Sequence, residues 1–180
     1  MKPPNSPDGY LDYTEYSFPR WSRVSARVAL LALAVGIIYS GSIILTPDDP
    51  NLYILGFGIG AGVSLFIHVV LHYVTAAAFG YDPAYVWPNR VYVPGESLPV
   101  KHIIPVLLAP QLLSIVYLSL LLSGMSLTLE VIIGWGLLLN IQGAWSDVLW
   151  SIRRLTWPTG TRVVVEEDQS TYVAFPEETV

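Results

Sequence analysis

Apolar residues in this chain are gathered into long runs, without the polar alternation of a half-buried strand or the narrow stripe of a soluble helix. Four such runs stand out, at residues 27–45, 52–79, 103–123 and 127–150. Each reaches the ~17–25 residues with which a helix crosses a ~30 Å hydrocarbon core. TPDDP at 46–50 reads as the turn that stops the first run. The second run, about 28 residues or ~42 Å as a straight helix, is longer than that core. It must therefore tilt, protrude, or bend near Gly56, Gly58, Gly60 and Gly62. Those glycines make two interleaved G-x-x-x-G spacings, which inside a span mark close helix approach. They resemble a phosphate-binding loop only in number.

Outside the runs the pattern changes. YVWPNRVYV, at 85–93, is rich in β-branched and aromatic residues around Pro88-Asn89, and TRVVVEEDQSTYVAFPEE, at 161–178, has a polar EEDQS between two apolar stretches. Both predict short hairpins. The predicted fold class is thus an all-α membrane protein, four transmembrane helices with short cytoplasmic β-hairpin elements. It divides into a lead at 1–25, a transmembrane domain at 26–150 and a cytoplasmic tail at 151–180.

Composition agrees, with 53% hydrophobic against 13% charged residues. A net charge of −5 and only two lysines, Lys2 and Lys101, exclude the dense basic patch that nucleic-acid binding needs. The absence of cysteine removes disulfides and thiolate metal sites, leaving His, Asp, Glu or Asn as ligands, a set that suits zinc. The first run reads as a retained anchor and not a cleaved signal, because about 25 polar and aromatic residues precede it and it is long enough to span. With four spans and the N-terminus inside, all nine Lys and Arg residues fall on one side. The rule that basic flanks stay in the cytoplasm then predicts a multi-pass protein of the lipid bilayer with both termini cytoplasmic.

The candidate chemistry lies in the second run. His68 and His72 are four residues apart, so on a helix both imidazoles share one face, in a stripe with Ser64. Two imidazoles on one face can share a metal ion. In the fourth run Asp147 precedes Arg153 by six residues, ~9 Å along a helix, and His72 precedes the end of its run by about seven, ~10 Å. At matching depth His68, His72 and Asp147 form a candidate metal site, and a divalent cation would offset the ~2.5–3.5 kcal/mol that a lone carboxylate costs there. Asn140 reads as an interhelical hydrogen-bonding residue, Gly143 as a site of close approach, Trp145 and Trp150 as outward-facing anchors, and His102 as interfacial. The competing readings are a neutral histidine pair bonded between helices, an Asp147 ion pair with Arg90 or Arg153, and a small haem or transport protein in which His102 supplies the second axial ligand.

HVVLH has the spacing of the zincin H-E-x-x-H motif, except that Val69 stands at the glutamate position. With HVVLHYVTAAAFG, the loop YVWPNRVYVPGESLPVKH, LLAP at 107–110 and NIQGAWSDVLW, the chain resembles the zincin peptidase family of small multi-pass membrane proteins. That family is distantly similar to intramembrane metalloproteases of the site-2 protease type. The resemblance implies a zincin-like domain with zinc on His68, His72 and Asp147, and a membrane-protein substrate or partner. The motif glutamate does not carry over. It serves as general base, and losing one typically costs ~10²–10⁴ in rate. Glu96 and Asp82 are the nearby carboxylates able to substitute, while Glu130 is at the far end of its run. Impaired hydrolysis, or a non-catalytic pseudoprotease that binds membrane proteins, is the expectation.

Overall fold

The structure, a computed structural model, describes residues 5–39, 49–87, 90–168 and 170–177. In chain order these form β1 (Thr14–Glu15), α1 (Arg20–Tyr39), α2 (Pro50–Leu55), a π-helical turn at Gly56–Gly60, α3 (Ala61–Ala78), β2 (Ala84–Val86), β3 (Arg90–Tyr92) and β4 (Leu98–Pro99). They continue as α4 (Val100–Leu108), α5 (Gln111–Leu121), α6 (Leu127–Gly143), α7 (Trp145–Leu155), β5 (Arg162–Val165) and β6 (Thr171–Ala174).

Two helices among the described residues are long and apolar enough to cross a membrane: Pro50–Ala78, of 29 residues, and Val100–Leu121, of 22. Among the described residues there is a third only if α6 and α7, bent by 43°, count as one. Large apolar side chains such as Val63, Phe66, Leu112, Ile115 and Val116 point outward from the two long helices, as lipid-facing residues do.

The predicted all-α class with four spans is therefore corrected to a mixed α/β fold with, among the described residues, two candidate spans, or three with the bent pair. The predicted fourth run does not continue straight, because the chain bends around Ala144 and α7 carries Asp147, Arg153 and Arg154. The predicted first span is described only as far as Tyr39, and its remainder, with most of the TPDDP turn, lies outside the described residues.

Both hairpins form. β5 pairs with β6 through Arg162↔Ala174, Val163↔Val173, Val164↔Tyr172 and Val165↔Thr171. β2 pairs with β3 through Ala84↔Tyr92, Tyr85↔Val91 and Val86↔Arg90, its turn at 88–89 lying outside the described residues. The tail hairpin is moreover the centre of a four-stranded antiparallel sheet of order β1-β6-β5-β4. Its outer strands are only two residues long, too short for any periodicity to announce them. They are strands because the hairpin's edges satisfy their backbone groups. Residues from 1–25, 26–150 and 151–180 thus meet in one sheet.

Two apolar clusters fix the arrangement. Ala76, Val93, Leu98, Ile103, Val106 and Val163 join α3, β4, α4 and the sheet. Leu121, Leu137 and Ile141 join α5 to α6, with Leu30 of α1 packed on them. Between α6 and the π-helical turn that precedes α3 the contact is made by glycine. A methyl group on Gly60 would collide with the Ile132 carbonyl, and one on Gly56 with the Val131 side chain. Gly58 and Gly62 face open space, so one of the two G-x-x-x-G registers makes the contact and the other does not.

Candidate functional site

Ser64, His68 and His72 follow Gly60 along one face of α3, against α6 and α7. The Ser64 hydroxyl donates to the Gly136 carbonyl at 2.8 Å. One turn on, His68 Nδ1 is 2.8 Å from Asn140 Oδ1, and after another turn His72 Nδ1 is 2.7 Å from the Val106 carbonyl oxygen. Gly143 leaves the room that the first imidazole occupies, since a Cβ there would stand 3.3 Å from His68 Cε1.

These contacts fix the histidine tautomers. A backbone carbonyl only accepts, so His72 Nδ1 carries the proton and its Nε2 keeps a lone pair. Asn140 is oriented by its own amide, which donates to the Pro110 carbonyl at 2.9 Å and the Ser114 hydroxyl at 2.7 Å. Its Oδ1 is therefore the acceptor, and His68 likewise donates from Nδ1.

The Val106 carbonyl is free for this role because Pro110, four residues later, has no N–H to donate to it. The proline at the break between α4 and α5 thereby orients His72. A proline four residues after an apolar position was the available sequence signal for this contact.

The two Nε2 atoms meet one carboxylate oxygen. Asp147 Oδ2 is 3.3 Å from His68 Nε2 and 3.5 Å from His72 Nε2, and the rings stand 4.9 Å apart at 78°. All three prospective ligand atoms lie within 4.8 Å of one another. Asp147 Oδ2 is buried without a conventional hydrogen-bond partner. Three lone-pair atoms therefore converge with no donor among them when the histidines are neutral, a group that could hold a metal ion. Donors at the ~2.0–2.1 Å typical of zinc stand about 3.3–3.4 Å apart around a tetrahedral centre, close to the two separations observed.

Sequence and structure thus bring together His68, His72 and Asp147, with one change of route. Asp147 is on α7, past the bend, and not on the same straight helix as Asn140 and Gly143. Glu96 and Asp82 are exposed in the loop before α4 and do not line the cavity that opens beside the cluster. Glu130 is on the first turn of α6. His102 stacks on Phe79 at 4.5 Å and meets the Tyr81 hydroxyl at 2.7 Å, away from that cavity. Trp145 lies under the Arg27 guanidinium at 4.2 Å and Trp150 packs on Phe18 at 4.4 Å, so both hold α7 in place where outward anchoring was expected.

The cavity has a volume of about 310 Å³. Val69 lines it at the position where the zincin motif has its glutamate, only 8% exposed. Sequence reasoning missed three of the charged residues on its wall, Arg154 of α7 and Glu166 and Glu167 of the β5–β6 turn. No local motif marks them, since they reach the cavity only through the sheet and the bend.

No protein-family model matches the chain, and no curated protein or solved structure matches it.

Proposed function

We propose that this chain is a membrane protein of the zincin-like metallopeptidase type, in which His68, His72 and Asp147 hold zinc and hydrolysis is impaired at Val69. The observation that carries the reading is the meeting of two imidazole lone pairs and one buried carboxylate oxygen with no donor among them. The outer contacts support it. Metal-ligating histidines usually donate their second nitrogen to a carbonyl or carboxylate, as His72 does to Val106 and His68 to Asn140.

Zinc bound there would polarise a carbonyl or lower the pKa of a bound water. The protein's own part is to fix the two rings, to supply Asp147 from across the bend, and to keep a cavity open beside them. Val69 can neither take nor return a proton. The residue that would complete hydrolysis is thus absent from its expected place, which favours a pseudoprotease that binds a membrane-protein segment without cutting it as the second reading.

The sheet gathers the N-terminal lead and the C-terminal tail at the end of the molecule where α3 finishes and α4 begins. Arg90, Lys101 and Arg162 lie in the segments at that end. By the bias of basic residues toward the cytoplasm, this end faces inward and both termini are cytoplasmic, in a multi-pass arrangement.

Metal analysis of detergent-purified protein tests the reading. Wild type carries about one zinc per chain, and His72→Ala and Asp147→Ala each lose it; unchanged metal in both variants ends the proposal. Val69→Glu, if it alone cleaves a membrane-protein reporter, places the defect at the missing base. Robust cleavage by wild type would show that Val69 is not disabling.

A further inference from the structure

Arg154 is 2% exposed, yet its Nε and Nη1 have no hydrogen-bond partner. Among the described residues no carboxylate comes within 4.0 Å of it to form an ion pair. Burying a guanidinium is costly unless it is paired, and Arg is the side chain best suited to grip a planar carboxylate with two parallel bonds. Its position says where such a partner would lie. Asp147, Trp150, Ser151 and Arg154 share one face of α7, and Arg154 and Asp147 both line the cavity. The Arg154 guanidinium stands 4.9 Å from the centre of the Trp150 ring, so the side chain runs back toward the start of α7 and Asp147. Trp150 follows Asp147 by three residues, a rise of ~4.5 Å.

An unpaired guanidinium thus lines the same cavity as the His68–His72–Asp147 cluster, a space walled by Leu65, Val69, Val93, Leu98 and Val106 and, at the β5–β6 turn, by Glu166 and Glu167. We propose that the cavity binds a ligand with an apolar body and a terminal carboxylate, and that Arg154 is the residue that holds the carboxylate. One extended residue spans ~3.3–3.6 Å, so a carboxylate on Arg154 would bring the last peptide bond of a chain near the cluster. The C-terminal end of an apolar peptide fits this description, and a fatty acid shares the same chemistry. The inference concerns the same cavity as the metal reading but does not depend on metal being bound.

Isothermal titration of the full-length protein in detergent tests it, with acetyl-alanyl-leucyl-valine as free acid or C-terminal amide, and with decanoate or decanamide. Wild type binds at least one acid about tenfold or more tighter than its amide, the scale of a charge-assisted hydrogen bond. Arg154→Met removes that preference. Arg154→Lys, which keeps the charge without the fork, retains part of it. Preference in the peptide pair alone identifies a chain terminus, and preference in the decanoate pair alone identifies a lipid acid; either supports the proposal.

Equal affinity for acid and amide in both wild-type pairs overturns it, and so does a preference that survives in Arg154→Met. If Arg154→Met fails to fold, the wild-type comparison and Arg154→Lys still decide. Repeating the titration after metal removal by a chelator separates this proposal from the preceding one. A preference that persists supports Arg154 whatever the metal content, while one that disappears with the metal assigns the carboxylate to the cluster and overturns the role of Arg154.

Discussion

The two halves of the Pro50–Ala78 helix meet α6 and α7 in opposite ways. Near its start, Gly60 brings backbone against the Ile132 backbone and Gly56 admits the Val131 side chain, and nothing larger than hydrogen fits at Gly60. Near its end, Ser64, His68 and His72 fill the same stripe with polar side chains, each bonded to a group on another helix. Close approach is possible where side chains are absent, and distance is needed where imidazoles stand. Gly143 and the 43° bend after it provide that distance. The first half packs tightly at its glycines, and the second fills with polar side chains the room left at Gly143. A site of converging lone pairs can be held here because the close-packed seam beside it sets the helix positions independently.

That contrast can be broken most severely at the seam. Gly60→Val should collide with the Ile132 backbone, which cannot move as a side chain can, and destabilise the fold by ~3 kcal/mol or more. Unfolding in mixed micelles checks this, and a variant as stable as wild type would show that the Pro50–Ala78 helix and α6 do not meet at this glycine.

The site half should respond with function before stability. Asn140→Ala removes the acceptor that fixes His68, and its effect on zinc affinity should be 10–100-fold, the range for a lost outer contact to a metal ligand. Competition with a chelator measures it. An unchanged affinity would mean that Asn140 does not orient the ring.

Ser64 lies between the two regimes, and Ser64→Ala should cost ~0.6 kcal/mol, the average of interhelical hydrogen bonds in membranes, with zinc content unchanged. The smallest effect belongs to Gly58→Ala, which meets open space and should stay within ~0.5 kcal/mol of wild type in the same unfolding assay. A loss as large as that of Gly60→Val would reverse the assignment of the two glycine registers.

Much of the site was legible in the sequence because its signal is local. Two histidines at i and i+4 share a helix face whatever surrounds them, and Asp147 was matched to them by counting residues to the end of its run. Both hairpins were legible for the same reason, each being a pair of adjacent apolar stretches around a turn. The number of spans was not, because hydropathy along the chain does not register a bend. α6 and α7 read as one run until Ala144 turns the axis and carries Asp147 toward α3. The outer strands β1 and β4 were equally hidden, since two residues have no period and become strands only at the edge of a sheet already formed.

By itself the sequence determined that His68 and His72 share a helix face, which segments are apolar enough to enter a membrane, and that Val69 stands between the histidines where a zincin pattern would have glutamate. Only the tertiary structure decided what those residues meet. Val106 had to lie beside α3 for its carbonyl, left without an N–H partner by Pro110, to orient His72, and the sheet and the bend had to close around one cavity for Arg154 to be buried in its wall. Periodicity acts through neighbours in the chain, whereas lone-pair convergence and burial depend on distances between segments, which exist only once the chain is packed.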